Sequence, residues 1–283
     1  MALDLSSIAA LHPRLDADRQ LLILELDHGK ANEMGTEQLA AFEALCALIE
    51  DEDHAREQAI TCLCTTSRRV SKRGKPIFIA GANVTERVGW DDITVKAHVI
   101  RQRKLMQRLR RLPLFNVALS TGVTLGWGTE YMLTADYSIA TDTASFALPE
   151  TGLGILPGAR GTAELANLVG PAQALRLGCT GESIDAAEAL RIGLVQEQVA
   201  TIELGLTRVE AFAEQLRRRS PLAVAAFKSA LLSGIGRPEA ERIALEEAAY
   251  ERCVDSGEAA IGRSSFAEIR KGETPAWGRH RLR

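Results

Sequence analysis

The sequence predicts an α/β protein whose C-terminal part is helical. Short apolar runs alternate with amphipathic helical patterns along the first part of the chain, which is typical of α/β folds. After about residue 160 the strand patterns fade and helical patterns dominate. No linker rich in proline or serine separates the two parts, so we expect an α/β core over residues 1–200 and a helical region over residues 201–283.

Five apolar runs predict the buried strands of this core. In the second run Cys62 and Cys64 are two residues apart, which places both side chains on one face of a strand. The five cysteines of the chain are odd in number and scattered, so we expect reduced thiols rather than a disulfide framework. The five runs are residues 21–24, 60–65, 77–79, 117–119 and 137–140.

Periodicity and capping residues predict helices between and after these strands. A second helix is expected to begin with Asp92 as its N-cap and to end by Leu112, because Pro113 cannot continue a helix. Ser220 followed by Pro221 predicts the start of a C-terminal helix. The first helix is predicted from apolar residues at steps of three and four, namely Leu39, Phe42, Leu45 and Ile49.

Charge and composition exclude several classes of partner. Lysine and arginine total 34 against 37 acidic residues, a net charge of -3, which gives no reason to expect nucleic acid or an anionic membrane. No apolar run approaches the ~18 residues of a membrane span, and the first basic residue is Arg14. Cysteine and histidine do not pair at metal-ligand spacing. We therefore expect a cytoplasmic protein that holds no metal.

Three glycine-containing segments lie where predicted strands give way to helices. Glycine allows the backbone to turn sharply and to approach a ligand closely, and the first N–H groups of a helix can stabilise negative charge. Neither a dinucleotide fingerprint nor a phosphate-binding loop is present. Each segment alone is typical of a tight turn before a helix. The segments are residues 78–84, 125–130 and 148–162.

Together the three segments resemble the motifs of the enoyl-CoA hydratase/isomerase (crotonase) family, which read approximately A-G-A-D, G-G-G-x-E and P-E-x-x-x-G-x-x-P-G-A-G-G-T. Here they occur as A-G-A-N at 80–83, as G-W-G-T-E at 126–130, and from Pro149-Glu150 to P-G-A-R-G-T at 157–162. Glu130 and Glu150 are 20 residues apart, the separation that the family uses for its two acids. The resemblance extends over about residues 20 to 275.

The resemblance implies a fold, an assembly and a substrate. The expected fold is a crotonase-like spiral of ββα units with a C-terminal helical region. The family forms trimers or dimers of trimers, so we expect a homotrimer or homohexamer in which residues 201–283 serve trimerisation. The family binds acyl-CoA thioesters, and coenzyme A would enter as part of the substrate, with no separate cofactor.

The resemblance also implies the roles of individual residues. The backbone N–H groups of Ala82 and Trp127 would stabilise the enolate oxygen of the thioester, as in an oxyanion hole. Hydratases of the family use two glutamates that flank the double bond and a water molecule. By position, Glu130 would orient and deprotonate that water, and Glu150 would exchange a proton at the α-carbon. Gly158 matches a position whose N–H contacts that water.

Three residues depart from the family pattern. Asn83 replaces an aspartate whose side chain serves the local turn. Trp127 replaces a glycine, and its indole is expected to crowd or line the acyl site. Arg160 also replaces a glycine, and two interpretations stay open: its side chain points outward, or it recognises a polar or carboxylated acyl group.

Basic residues near these motifs are candidates for contacts with the phosphates of coenzyme A. Lys30 precedes Ala31-Asn32, which is similar to a family segment near the nucleotide, and Ala80 opens the first motif. Two basic clusters are either solvated faces or contacts for the 3′-phosphate. One comprises Arg68, Arg69, Lys72, Arg73 and Lys75, and the other Arg101, Lys104, Arg108 and Arg111.

The predicted function is reversible hydration of a 2-enoyl-CoA. The alternative in the same family is double-bond isomerisation, which needs only one carboxylate. A third hypothesis is a catalytically silent CoA-binding or scaffold subunit, which is expected to lack one of the two acids. The presence of both Glu130 and Glu150 favours the hydratase. The motifs do not identify the acyl chain.

Overall fold

The computed structural model describes residues 4–51 and 60–278. Within this part of the chain, the larger sheet has the strand order β1-β2-β3-β5-β7-β10. Its first strand is antiparallel to the second, and the remaining neighbours are parallel. These strands are β1 (Pro13–Asp16), β2 (Leu21–Glu25), β3 (Cys62–Thr66), β5 (Phe115–Ser120), β7 (Tyr137–Thr141) and β10 (Glu197–Val199).

A smaller sheet has the order β4-β6-β8-β9. Its first three strands are parallel, and the last is antiparallel to its neighbour. Each of β3, β5 and β7 in the larger sheet is followed along the chain by a strand of the smaller sheet and then by helical structure, so the chain repeats a ββα unit. The smaller sheet comprises β4 (Ile77–Ile79), β6 (Val123–Leu125), β8 (Ser145–Ala147) and β9 (Ile184–Asp185).

Helices cover the sheets and dominate the C-terminal part. The long ones are α1 (Thr36–Glu50), α2 (Asp92–Arg110), α7 (Ile202–Leu216), α8 (Pro221–Gly234) and α9 (Glu239–Asp255). The shorter ones are α3 (Trp127–Met132), α4 (Gly161–Val169), α5 (Pro171–Thr180), α6 (Ala186–Arg191), α10 (Glu258–Ser264) and α11 (Phe266–Arg270). Short 3-10 helical segments cover Ser6–Leu11, Val84–Arg87 and Pro149–Leu153. No helix in the described ranges is both long and apolar enough to cross a membrane.

The α/β prediction is confirmed, and all five predicted strands are present. The strands β1, β6, β8, β9 and β10 were not predicted, because none of them contains an uninterrupted run of three apolar residues. The predicted N-cap Asp92 is wrong by one residue. Asp91 caps α2, since its carboxylate accepts the N–H of Thr94 at 2.7 Å, whereas Asp92 is the first helical residue. Ser220 is confirmed as the N-cap of α8, accepting the N–H of Ala223 at 3.1 Å.

The larger sheet separates two hydrophobic clusters. Cys62 and Cys64 are buried with Val209 and Ala213 of α7, while Leu63 between them belongs to the cluster on the opposite face. This alternation confirms the predicted placement of the two cysteines, and their thiols are free. The second cluster lies between the sheets and includes buried residues of α1, α2 and α3. The division of the chain near residue 200 stays a prediction.

Candidate active site

The first glycine-containing segment extends from the end of β4 and pairs with the chain around Met34. The N–H of Met34 donates to the carbonyl oxygen of Gly81 at 2.9 Å, and the N–H of Asn83 donates to the carbonyl oxygen of Met34 at 2.9 Å. These two bonds flank Ala82 on the side that faces Met34, so the N–H of Ala82 points to the opposite side. The Asn83 side chain caps the next turn, accepting the N–H of Glu86 at 3.3 Å, which confirms its predicted local role.

The second segment places the start of α3 against this first segment. Gly128 lies so close to Ile79 that a β-carbon would collide with the Ile79 carbonyl oxygen. Trp127 is the first residue of α3, where a helix has no internal acceptor for the N–H group. The close approach of Gly128 to Ile79 therefore places the start of α3, with Trp127, beside the segment that carries Ala82. An oxyanion hole formed by the N–H groups of Ala82 and Trp127 stays a prediction.

The Trp127 indole lies in the core between helices. It is 2% exposed, stacks on Tyr131 at 5.6 Å between ring centroids, and contacts Phe42 of α1 at 6.1 Å. The Tyr131 hydroxyl is in turn held by Thr65 of β3 at 2.7 Å. The aromatic packing fixes the start of α3 and thereby the direction of the Trp127 N–H.

Glu130 lies one helical turn further along α3 and is 4% exposed. Its Oε1 atom accepts the N–H of Ala159 at 2.8 Å and the N–H of Gly161 at 2.7 Å. A β-carbon on Gly161 would lie 2.8 Å from that oxygen, so only glycine permits this contact without displacement. Burial, assisted by the charge of Glu150, raises the pKa of Glu130 to about 7, although the N–H groups of Gly161 and Ala159 act in the opposite direction.

Glu150 lies in the 3-10 turn that follows β8. Its Oε1 atom is 2.5 Å from the position that a β-carbon of Gly126 would occupy, so the carboxylate lies directly beside the residue that precedes the Trp127 N–H. Its Oε2 atom is buried and has no hydrogen-bond partner among residues 4–51 and 60–278. Burial raises the pKa of Glu150. Two carboxyl groups with raised pKa values thus lie near the start of α3, Glu130 within the helix and Glu150 beside Gly126, which is the composition of a general acid–base site.

Comparison with known proteins decides the family. Residues 71–278 match the family described as enoyl-CoA hydratase/isomerase. The chain belongs to this family, also called the crotonase family. It is 30% identical over 258 residues to the short-chain-enoyl-CoA hydratase of Clostridium acetobutylicum, covering 91% of this chain and 95% of that protein.

Two further comparisons describe the extent of the similarity. The chain is 36% identical over 195 residues to the probable mitochondrial enoyl-CoA hydratase 2 of Arabidopsis thaliana, and the match spans 69% of this chain but 64% of that protein. The crystal structure of the Bacillus anthracis enoyl-CoA hydratase superimposes with a TM-score of 0.79 at 30% identity, over 92% of this chain and 96% of that one. The crotonase fold predicted from the motifs is therefore confirmed.

Sequence reasoning assigned a water-binding N–H to Gly158 and named no donor for the Glu130 carboxylate. The structure shows that the N–H groups in contact with Glu130 belong to Ala159 and Gly161. The carbonyl oxygen of Gly158 accepts a hydrogen bond from Nε of Arg103 at 2.6 Å. The proposed contact of Gly158 with water stays a prediction. The glycine of P-G-A-R-G-T at 161 was the available signal for the second donor.

Arg160 is held by a carboxylate of α4. Its guanidinium forms an ion pair with Glu164, one turn along the helix, and Glu164 also contacts Arg110 at 3.4 Å. The Arg160 backbone adopts a left-handed conformation with φ of 86°, which explains why glycine is the usual residue at this position of the motif. This arrangement favours the structural interpretation of Arg160 over recognition of an acyl group.

Lys30 and Ala80 lie on adjacent segments at the edge of the site. The N–H of Ala80 donates to the carbonyl oxygen of Ala31 at 3.1 Å, which places Lys30 beside the first motif. Of the basic clusters, several members are engaged by acids of neighbouring elements. These pairs are Arg68 with Glu25 and Glu203, Arg69 with Asp27, Arg101 with Glu43, and Arg108 with Glu50.

Proposed function

We propose that this protein catalyses the reversible addition of water to the double bond of a 2-enoyl-CoA thioester. The observation that carries the proposal is that Glu130 and Glu150 lie near the segments that carry Ala82 and Trp127, the two proposed oxyanion donors. Burial raises the pKa of Glu130 to about 7, so at neutral pH a substantial fraction of this carboxyl is ionised and able to accept a proton. The family membership and the hydratase relatives support the same chemistry.

The residues divide the reaction as follows. The thioester oxygen accepts the N–H groups of Ala82 and Trp127, which stabilise the enolate that forms when water attacks C3. Glu130 takes a proton from that water as the new C3–O bond forms. Glu150 donates a proton to C2 as the enolate collapses, and the reverse sequence eliminates water. Each preorganised donor is typically worth about 3–4 kcal/mol of barrier, and each acid–base residue contributes roughly 10²–10⁴-fold.

The competing functions make different use of the two acids. An isomerase moves one proton between two carbon atoms and needs one carboxylate, so a second buried acid beside the oxyanion donors has no task. A silent CoA-binding subunit needs neither acid. A carboxyl that is 4% exposed and held by two backbone N–H groups is costly to retain without a role.

The experiment is a panel of short, branched, aromatic and carboxylated 2-enoyl-CoAs. Loss of the conjugated-thioester absorbance, with a product heavier by one water in mass spectrometry, establishes hydration. Migration of the double bond without a mass change establishes isomerisation. Binding of the thioesters without turnover establishes the silent subunit.

Assembly, location and cofactor use complete the proposal. We propose a homotrimer or homohexamer in which residues 201–283 provide contacts, supported by the exposed Phe227 of α8 and Tyr250 of α9, each 72% exposed in the single chain. Sedimentation velocity tests this assembly. We also propose a cytoplasmic protein that needs no cofactor, so dialysis against a chelator is expected to leave activity unchanged and cell fractionation to recover the protein with cytoplasmic markers.

A further inference from the structure

The buried face of α2 changes from polar to apolar along the chain. His98 and Gln102 are buried first, and Leu105, Met106 and Leu109 are buried in the core towards the C-terminal end of the helix. Gln102 is 3% exposed, and its Nε2 atom has no hydrogen-bond partner within the described ranges 4–51 and 60–278. A buried amide N–H without an acceptor costs free energy unless something else provides that acceptor.

Contacts on the two flanks of α2 fix the direction in which Gln102 points. On one flank Arg101 binds Glu43 of α1 at 2.7 and 2.8 Å. On the other flank Arg103 donates to the carbonyl oxygen of Gly158 at 2.6 Å. Helical periodicity places Gln102 between these flanks, on the same side as the buried leucines. Its amide therefore faces the space between α1 and the loop that anchors the Glu130 carboxylate.

A second buried donor belongs to the same region. The indole of Trp127 packs on Phe42 of α1, and its Nε1 atom is buried without a hydrogen-bond partner in the part of the chain that the structure describes. The backbone N–H of the same residue is one of the two proposed oxyanion donors.

A cation lies at the outer end of this region. Arg87 is half-buried, its Nε atom has no partner, and it forms no ion pair within residues 4–51 and 60–278. Burial, followed by the charge of Arg87, lowers the pKa of His98, which lies one turn before Gln102 and contacts Trp90 at 5.1 Å between ring centroids. Arg87 thus lies close enough to His98 for its charge to act on that side chain, and His98 precedes Gln102 on the buried face of α2.

We propose that Gln102, together with the indole N–H of Trp127, binds an oxygen acceptor on the acyl chain and so determines specificity. The favoured substrates are short 2-enoyl-CoAs that carry a carboxylate or a hydroxyl beyond the double bond. An apolar acyl chain would leave these buried N–H groups without an acceptor. The resulting loss of binding free energy discriminates strongly between a ligand that carries an oxygen and one that lacks it. The inference rests on the proposed function, because it places the thioester between Ala82 and Trp127.

The test measures binding of saturated thioesters, which cannot be hydrated. Calorimetry compares butyryl-CoA, 4-hydroxybutyryl-CoA and glutaryl-CoA on the wild-type protein. At least one oxygen-bearing thioester is expected to bind about tenfold more tightly than butyryl-CoA. Gln102→Leu is expected to lower that preference about tenfold, and Gln107→Leu, an exposed position on the same helix, to leave it unchanged.

Arg87→Gln separates the two kinds of acceptor. If the wild-type protein prefers glutaryl-CoA and Arg87→Gln loses that preference, the acceptor is a carboxylate. If the wild-type protein prefers 4-hydroxybutyryl-CoA and Arg87→Gln keeps that preference, the acceptor is a hydroxyl. Equal affinity of the wild-type protein for all three thioesters overturns the inference without the need for any variant. An equal loss for all three in Gln102→Leu also overturns it. Failure of the proposed function is distinct, since it would appear as no conversion of any enoyl-CoA.

Discussion

Glu130 and Glu150 are both acids of one site, but the segments that carry them hold them in different ways. Glu130 is buried on a helix, and the N–H groups of Ala159 and Gly161 fix one oxygen. Glu150 is half-buried on a single 3-10 turn beside Gly126, with one oxygen unpartnered among the described residues. The first arrangement suits a base that must orient water, and the second suits an acid that must reach a carbon atom.

The largest expected effect comes from removing the less restrained acid. Glu150→Gln keeps the volume of the side chain but cannot donate a proton, so kcat for hydration is expected to fall roughly 10²–10⁴-fold. Affinity for a saturated thioester is the control and should change little. A variant that hydrates crotonyl-CoA at the wild-type rate would remove Glu150 from the mechanism and favour a single-carboxylate reaction.

The second prediction concerns the cost of burying Glu130. Burial raises its pKa from 4.5 to about 7, so the folded state binds this proton more tightly than the unfolded state does. The contribution of this group to the free energy of unfolding is fully present below pH 4.5 and is lost as the pH rises through about 7. The difference corresponds to about 3 kcal/mol.

Denaturant unfolding as a function of pH checks this sign. Glu130→Gln removes this titrating group. The free energy of unfolding of the variant minus that of the wild-type protein is therefore expected to be up to about 3 kcal/mol higher at pH 8 than at pH 4.5. Glu251→Gln, at an exposed position of α9, is the matched control and should show no such dependence. A pH-independent difference between Glu130→Gln and wild type would contradict a raised pKa at Glu130.

The third prediction sharpens the contrast between the two anchoring segments. In Gly161→Ala the new β-carbon would lie 2.8 Å from Oε1 of Glu130 and 2.7 Å from Pro157, so the carboxylate must shift. We expect kcat to fall about tenfold or more, because displacement of a catalytic group by about 1 Å costs up to 10²-fold. Gly178→Ala in α5 meets nothing within 4 Å and should keep wild-type kcat. Equal activity of the two variants would mean that the Gly161 contact does not position Glu130.

The fourth prediction concerns the pH dependence of the rate. Because Glu130 must be ionised to accept a proton, kcat/KM is expected to fall as the pH decreases below about 7, approaching tenfold for each pH unit. A pH–rate profile for a single enoyl-CoA measures it. A flat profile between pH 5 and 8 would contradict the assignment of Glu130 as the base.

Much of the fold and the site could be predicted because local patterns encode them. The five predicted apolar runs became strands, and the three motifs follow strands of the smaller sheet. What the sequence did not reveal depends on contacts between distant segments. Nothing local indicates that the N–H groups of Ala159 and Gly161 donate to Glu130, or that Glu164 engages Arg160.

The polar face of α2 was missed for a similar reason. His98 and Gln102 lie in a helix whose sequence has many polar residues, and only the structure separates the two that are buried from those that are exposed. The N-cap of this helix also illustrates the limit. Asp91 and Asp92 are equally suitable residue types, and the choice between them depends on which carboxylate reaches the N–H of Thr94.

The central claim is that Glu130 activates water, and the rate of Glu130→Gln on crotonyl-CoA tests it most directly. Glutamine keeps the shape and the acceptor oxygen for the N–H groups of Ala159 and Gly161, but it cannot take a proton. The account predicts a fall in kcat of roughly 10²–10⁴-fold, with little change in the dissociation constant for butyryl-CoA. Hydration by Glu130→Gln at a rate near that of the wild-type protein would contradict the account.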